Sequence, residues 1–247
     1  MNRRSLLRAT AVGAVAPVLT AGTAAEAAVN RWGPAVQPVN LAARLTTLPP
    51  QTTQVIVVHG PDYATTTATL QTYERVGGVW RFVNPGVSAR IGAEGFTDHP
   101  AEGLAATPTG VYAIGATMYG IAADPGVRHA YHRVVVDDWW NENPESAAYN
   151  TFQHSTVSPG GYSEALWRYD PQYTHFAVIT YNMPPTVAAP VPYAGSGIFL
   201  HQHSTGAGPT AGCVSLAHEP LVGVLRWLDP GASPRIVLSP VRNLGRY

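Results

Sequence analysis

Gly197-Ile198-Phe199-Leu200-His201, followed after a short loop by Thr210-Ala211-Gly212-Cys213-Val214-Ser215-Leu216, carries the most information in this chain. The first run reads as a buried strand that ends on a histidine. The second holds the chain's single cysteine, directly after a glycine. Beyond it, Leu221, Val224, Leu225 and Leu228 repeat at the spacing of one helical face. Pro220 suits the first turn of that helix and Pro230-Gly231 stops it, which predicts a helix over Pro220–Asp229. The end of the chain therefore reads strand, loop with Cys213, helix, strand, with the cysteine on a loop held by buried elements.

Outward from this stretch, short β-branched or aromatic runs dominate: Gln54–Val58, Val79–Val83, Arg133–Asp137, His175–Tyr181, Gly197–Leu200 and Arg235–Leu238. Gly, Pro, Asn and Asp clusters separate them. Thr65–Arg75 reads as a short helix. The fold class expected is mainly β, with mixed sheets or a β-sandwich and one or two short helices. Residues 28–52 read as an irregular lead-in, 53–240 as one folded domain and 241–247 as a tail. No internal repeat is present.

The N-terminus reads as a targeting segment. Arg3-Arg4 with Leu6-Leu7 precedes an apolar, small-residue run over Ala9–Ala21, and Ala25-Glu26-Ala27 supplies an A-x-A cleavage site. The paired arginines resemble a twin-arginine signal; the alternative is an ordinary Sec signal. Residues 1–27 are expected to be removed on export to the cell wall or beyond. The apolar run is short for a membrane span and is broken by Pro17, so no stable membrane insertion is expected after cleavage. The remaining chain is slightly acidic and its basic residues are all arginine. No basic block suggests nucleic acid. About 220 residues suffice for one sizeable core.

A lone cysteine in an exported chain forms no internal disulfide and is exposed to oxidation, so it needs another reason to be there. The plain reading is a small buried apolar residue. The chemical reading makes Cys213 a nucleophile. A free thiol titrates near 8.5, and a neutral imidazole within reach takes its proton and later gives it to the leaving group. His201, at a strand end, is the preferred base; His203, two residues on, is the second candidate. The backbone N–H groups at Gly212 and Cys213 are candidate oxyanion donors. Thr210 and Ser215, flanking the cysteine, are secondary candidates. Trp139, Trp140, Tyr149 and Asn150 lie in a polar, aromatic stretch that reads either as the lining of a substrate groove or as core with a polar rim.

The His201 and Cys213 segments together resemble the catalytic signature of YkuD-type L,D-transpeptidases. Thr107-Pro108-Thr109-Gly110-Val111-Tyr112 is similar to another stretch of that family, and the resemblance covers about 53–239. It implies a mostly β catalytic domain and a cysteine acyltransferase that attacks peptidoglycan stem peptides. A thioester would form on Cys213 and its acyl group would pass to a second stem amine, making a cross-link, with no cofactor and no metal. The chain departs from the pattern where His201 is followed by Gln202 rather than Gly, where the His-to-Cys loop is short, and where Ser215 and Ala211 replace an Arg and a His. These departures leave open an L,D-carboxypeptidase, another cysteine peptidase of the wall, or a non-enzymatic wall-binding domain. Zinc held by His201, His203, Cys213 and His218 is the competing chemistry.

Overall fold

The computed structural model describes residues 39–247, so the expected signal at 1–27 and the first part of the lead-in lie outside the described residues. Fourteen strands follow in chain order: β1 Gln54–Gly60, β2 Thr67–Val76, β3 Val79–Arg90, β4 Phe96–Thr97, β5 Thr107–Pro108, β6 Gly110–Gly120, β7 Ala130–Arg133, β8 Asp138–Asn141, β9 Thr151–His154, β10 Glu164–Ala165, β11 Phe176–Ile179, β12 Phe199–Gln202, β13 Val214–Leu216 and β14 Arg235–Pro240. One α-helix, α1 (His218–Trp227), lies between β13 and β14. The main sheet runs β11-β12-β13-β3-β2-β1-β14-β6, and β6 pairs back onto β11, closing eight strands into a mixed barrel with β7 on its edge. Closure removes the open edges that a sheet of this size would otherwise present. The mainly β expectation holds.

Strand alternation divides the interior. Ile56 and Val58 of β1, Leu200 of β12, Val214 and Leu216 of β13, and Ile236 and Leu238 of β14 join the central core, where α1 adds Leu221, Val224 and Leu225 and its C-cap residue adds Leu228. The opposite faces of β1 and β14 carry Val55, Val57 and Val237. These are covered by Leu41 and Ala42 from the 3-10 turn Leu41–Arg44 and by Leu244 from the 3-10 segment Val241–Arg246. Strand β1 is thus buried on both sides, which is why Gln54–Val58 reads as an unbroken apolar run. The helix begins two residues before Pro220, with Glu219 in its first turn and Arg226 in its last, both favourable to the helix dipole.

Two sequence expectations are overturned. Thr65–Arg75 is not a helix: most of it is β2, paired with β1 on one side and β3 on the other. Threonine at 65, 66, 67, 69 and 72 favours the pleated strand. Gly77 and Gly78, both at positive φ (60° and 82°), make the tight turn into β3. Arg133–Asp137 is not a strand either. Strand β7 ends at Arg133, Val135 and Val136 are exposed, and Asp137 turns at φ 74°. The turn lets the fully buried Asp138 accept the Val135 N–H at 2.8 Å and both His132 Nε2 and His154 Nδ1 at 2.7 Å.

Leu225→Ala should test the helix-to-barrel packing, because Leu225 is fully buried in the central core. Urea unfolding is expected to show a loss of about 2–5 kcal/mol. Val79→Ala, at an exposed site, should stay within about 0.5 kcal/mol.

Candidate active site

Strands β12 and β13 are parallel neighbours, with Leu200 opposite Val214 and His201 opposite Ser215. Side chains alternate along a strand, so Leu200 and Val214 enter the central core while Phe199, His201, Cys213 and Ser215 share the other face. The aromatic layer on that face contains Trp140, Tyr173, Phe176, Phe199 and Cys213 itself. Cys213 therefore satisfies the plain reading in part, being buried among apolar side chains, and yet it opens onto two cavities.

Gly212 is required by packing. Its φ is 140°, and a Cβ there would meet Ala106 O at 3.0 Å and Ile198 Cδ1 at 3.2 Å. The turn is pinned by Thr107, whose Oγ donates to Gly212 O (2.7 Å) and accepts the Gly92 N–H (2.9 Å). The Gly212 N–H donates to Thr210 Oγ at 3.1 Å, and the Thr210 hydroxyl donates to Cys213 O at 2.6 Å. The expectation that the Gly212 N–H faces an oxyanion is thus corrected: the Thr210 side chain already occupies it. Thr210 holds the cysteine turn from the wall of a cavity that it also lines.

The thiol donates to Gly197 O at 3.2 Å, and its sulfur accepts the Phe199 N–H at 3.3 Å. Burial pushes its pKa far above the ordinary thiol value, Glu164 and Glu142 add to that, and the Phe199 N–H opposes it. The resting group is a neutral thiol. His201 is also buried, and desolvation holds its pKa at about 4. Its Nδ1 lies 2.6 Å from Gln202 O. A carbonyl only accepts, so Nδ1 carries the proton and Nε2 keeps a free lone pair. The imidazole stands edge-to-face on Tyr173, with ring centroids 5.6 Å apart. His203 Nδ1 pairs with Ser215 Oγ at 2.9 Å. Among the described residues no hydrogen bond joins either histidine to the sulfur.

Two cavities meet at Cys213, with Ala211 and Glu164 also shared. One, of about 290 Å³, is lined by His201, Tyr169, Gln172, Tyr173, Thr210 and Ser215 among others. The other, of about 190 Å³, is lined by Glu102, Glu142, Tyr162, Ser196 and Gly197 among others. Trp139, Trp140, Tyr149 and Asn150 line neither of these two cavities. Trp140, Tyr149 and Asn150 are buried. Asn150 Oδ1 accepts the Trp140 Nε1–H (2.9 Å) and the Gly197 N–H (3.1 Å), and its Nδ2 donates to Tyr181 O and Asn182 O. The amide so fixes the glycine whose carbonyl receives the thiol. Tyr149 bonds Glu102, and Trp139 donates to Ser155 O at 2.9 Å.

Glu102, Glu142, Glu164 and Tyr173 were not singled out in the sequence. They come from separate segments, and no spacing rule links them. The proposed zinc set does not converge: His203 turns to Ser215, and His218 Nδ1 meets Gln202 Oε1 at 2.7 Å. Among the described residues no three His, Cys, Asp or Glu side chains stand close enough to hold a metal ion.

Residues 53–238 match the family model described as the L,D-transpeptidase catalytic domain, YkuD. The chain belongs to this family. No curated protein and no solved structure matches it. YkuD members are L,D-transpeptidases that act on peptidoglycan, so the domain is one of cell-wall cross-linking, acting in the wall or periplasm. Among the described residues no helix is long and apolar enough to cross a membrane.

Two measurements follow from this geometry. Thr107→Val removes both bonds of a buried hydroxyl and leaves the Gly92 N–H and Gly212 O without it. Urea unfolding should show a loss of about 1–3 kcal/mol. The titrations give opposite pH dependences. His201, held at about 4 against 6.5 unfolded, contributes stability present above pH 6.5 and lost as pH falls toward 4. Glu164, raised by burial to about 7 against 4.5 unfolded, contributes stability present below pH 4.5 and lost as pH rises through 7. Glu164→Gln should therefore gain on the parent in urea midpoint between pH 4.5 and pH 7.5; an unchanged gap would show that this carboxyl does not titrate as described.

Proposed function

We propose that this chain is an exported L,D-transpeptidase in which Cys213 attacks the stem-peptide carbonyl and His201 is its base. The observation that carries the reading is that Cys213 and His201 open on one cavity from adjacent parallel strands, in a chain of the YkuD family. His201 Nε2 takes the thiol proton as the sulfur forms a bond to the carbonyl carbon. The imidazolium then protonates the departing amine as the C–N bond breaks, leaving a thioester. A second stem amine replaces the sulfur, and the thiol is restored. No cofactor enters these steps.

Several features support His201 over His203. The Gln202 carbonyl fixes the His201 tautomer with Nε2 free, and Tyr173 holds its ring. His203 is engaged with Ser215 and is less enclosed. Ser215, the partner of His203, lines the cavity onto which His201 opens. The resting thiol donates to Gly197 O, so that bond breaks as the proton passes to His201. Export by a twin-arginine or Sec route through residues 1–27 belongs to the same proposal.

Incubation of the purified protein with disaccharide-tetrapeptide should give a cross-linked dimer with loss of the terminal D-residue, read by mass spectrometry. Hydrolysed tripeptide alone, across acceptors and concentrations, would instead define an L,D-carboxypeptidase. Cys213→Ala should abolish turnover; full wall-directed activity without the thiol would favour a binding domain. His201→Ala should lower turnover by roughly a hundredfold or more, the order expected for loss of a general base. His203→Ala should cost less, and the reverse ranking would move the base to His203.

A further inference from the structure

A third cavity, of about 600 Å³, is lined by His59, Thr67, Thr69, Gly86 and Ser88 among others, and shares no residue with the two at Cys213. Strand alternation builds it. His59 follows Val55 and Val57 on the outward face of β1. Thr69 of β2 stands opposite His59, and Ser88 of β3 stands opposite Thr69. An imidazole and two hydroxyls thus form one row across three strands, with neighbours about 5 Å apart. None of these three side chains has a hydrogen-bond partner among the described residues, and His59 Nε2 is shut off from water without one. Burial lowers the His59 pKa below 6.5, so the ring is neutral and offers one donor and one acceptor. No Asp, Glu or Arg lines the cavity among the described residues, while Pro61, Val87 and Val241 give it apolar wall. At Gly86 a Cβ would come within 2.9 Å of Thr69 Cγ2, so the glycine keeps the cavity open beside that threonine.

The same outward face carries the candidate active site. His201 is in register with Ser215, Ser215 with Arg90, and Arg90 with Thr67. Ser215 lines the His201 cavity and Thr67 lines this one. The two residues are two strand spacings apart, or about 10 Å.

We infer that the His59 cavity is a second binding site, which takes a neutral sugar ring of the glycan to which a stem peptide is attached. The inference rests on the peptidoglycan reading above and adds where the glycan is held. A row of neutral, unpaired donors and acceptors suits a ring bearing several hydroxyls, and the apolar wall suits its C–H face. A charged group finds no counter-ion there. The short distance along the barrel surface lets one substrate molecule fill both sites, with its peptide at Cys213 and its sugar at His59. No bond forms or breaks at the second site; it supplies binding energy only.

The test titrates the full chain with the peptide-free disaccharide of the wall glycan, followed by calorimetry. His59→Phe, Thr69→Val and Ser88→Ala should each raise its Kd about fivefold or more, the order expected for one lost hydrogen bond. Because the ligand is neutral, the parent's Kd should be the same at low and high salt. Ser88 is exposed, so its truncation should leave the fold intact. In turnover, Ser88→Ala should lower the ratio of kcat/KM for disaccharide-tetrapeptide to that for free tetrapeptide by about the same fivefold factor. A parent that does not bind the disaccharide overturns the site. Binding that all three substitutions leave unchanged puts the sugar elsewhere and also overturns it. Displacement of the disaccharide by free tetrapeptide, or equal affinity for maltose, overturns it as a separate site for wall glycan. A parent whose disaccharide binding responds to the substitutions but which turns over no stem peptide keeps the site and overturns the transpeptidase reading alone.

Discussion

The parallel pairing of β12 with β13 is the constraint on which the site depends. With Leu200 opposite Val214, alternation sends both into the barrel core and sends Phe199, His201, Cys213 and Ser215 to the other face. A slip of one residue would reverse every one of these side chains. The apolar burial of Leu200, Val214 and Leu216 is therefore what holds the histidine and the thiol on one cavity. The connection between the two strands is short, and it is tied down along its length. Thr210 N–H bonds Ile91 O at 2.8 Å, Ala93 N–H bonds Thr210 O at 2.9 Å, and Arg90 Nε bonds Ala207 O at 2.9 Å.

A second layer of constraint is polar. Thr107 holds the turn before the cysteine, and Asn150 holds the glycine opposite it, each through bonds buried from water. Such groups are costly when half-satisfied and rigid when satisfied, so they fix positions that apolar packing alone leaves loose. The thiol sits between these two anchors. Its neutral resting state follows from the same burial, together with the two carboxyl groups that face it. A cysteine protected in this way suits an oxidising location, where an exposed thiolate would be lost.

The sequence by itself determined the elements with a strong local signal. The apolar runs at Gln54–Val58 and Arg235–Leu238 became β1 and β14 because they are buried on both faces. The helix after Cys213 followed from the spacing of Leu221, Val224, Leu225 and Leu228 together with its proline stops. The uniqueness of Cys213 and the place of His201 after an apolar run are legible in the sequence. Where local signals were ambiguous the reading failed: Thr65–Arg75 took a strand because β1 and β3 flank it, and Arg133–Asp137 broke because Asp138 is drawn inward to His132 and His154. Strand β13 was too short to announce itself. Only the tertiary structure decided the closure of β6 onto β11, the shared face of His201 and Cys213, the burial of Trp140 and Asn150, and the convergence of Glu102, Glu142 and Glu164. Each is a meeting of residues distant in sequence, and contacts of that kind are set by packing and strand register rather than by the period of any one segment.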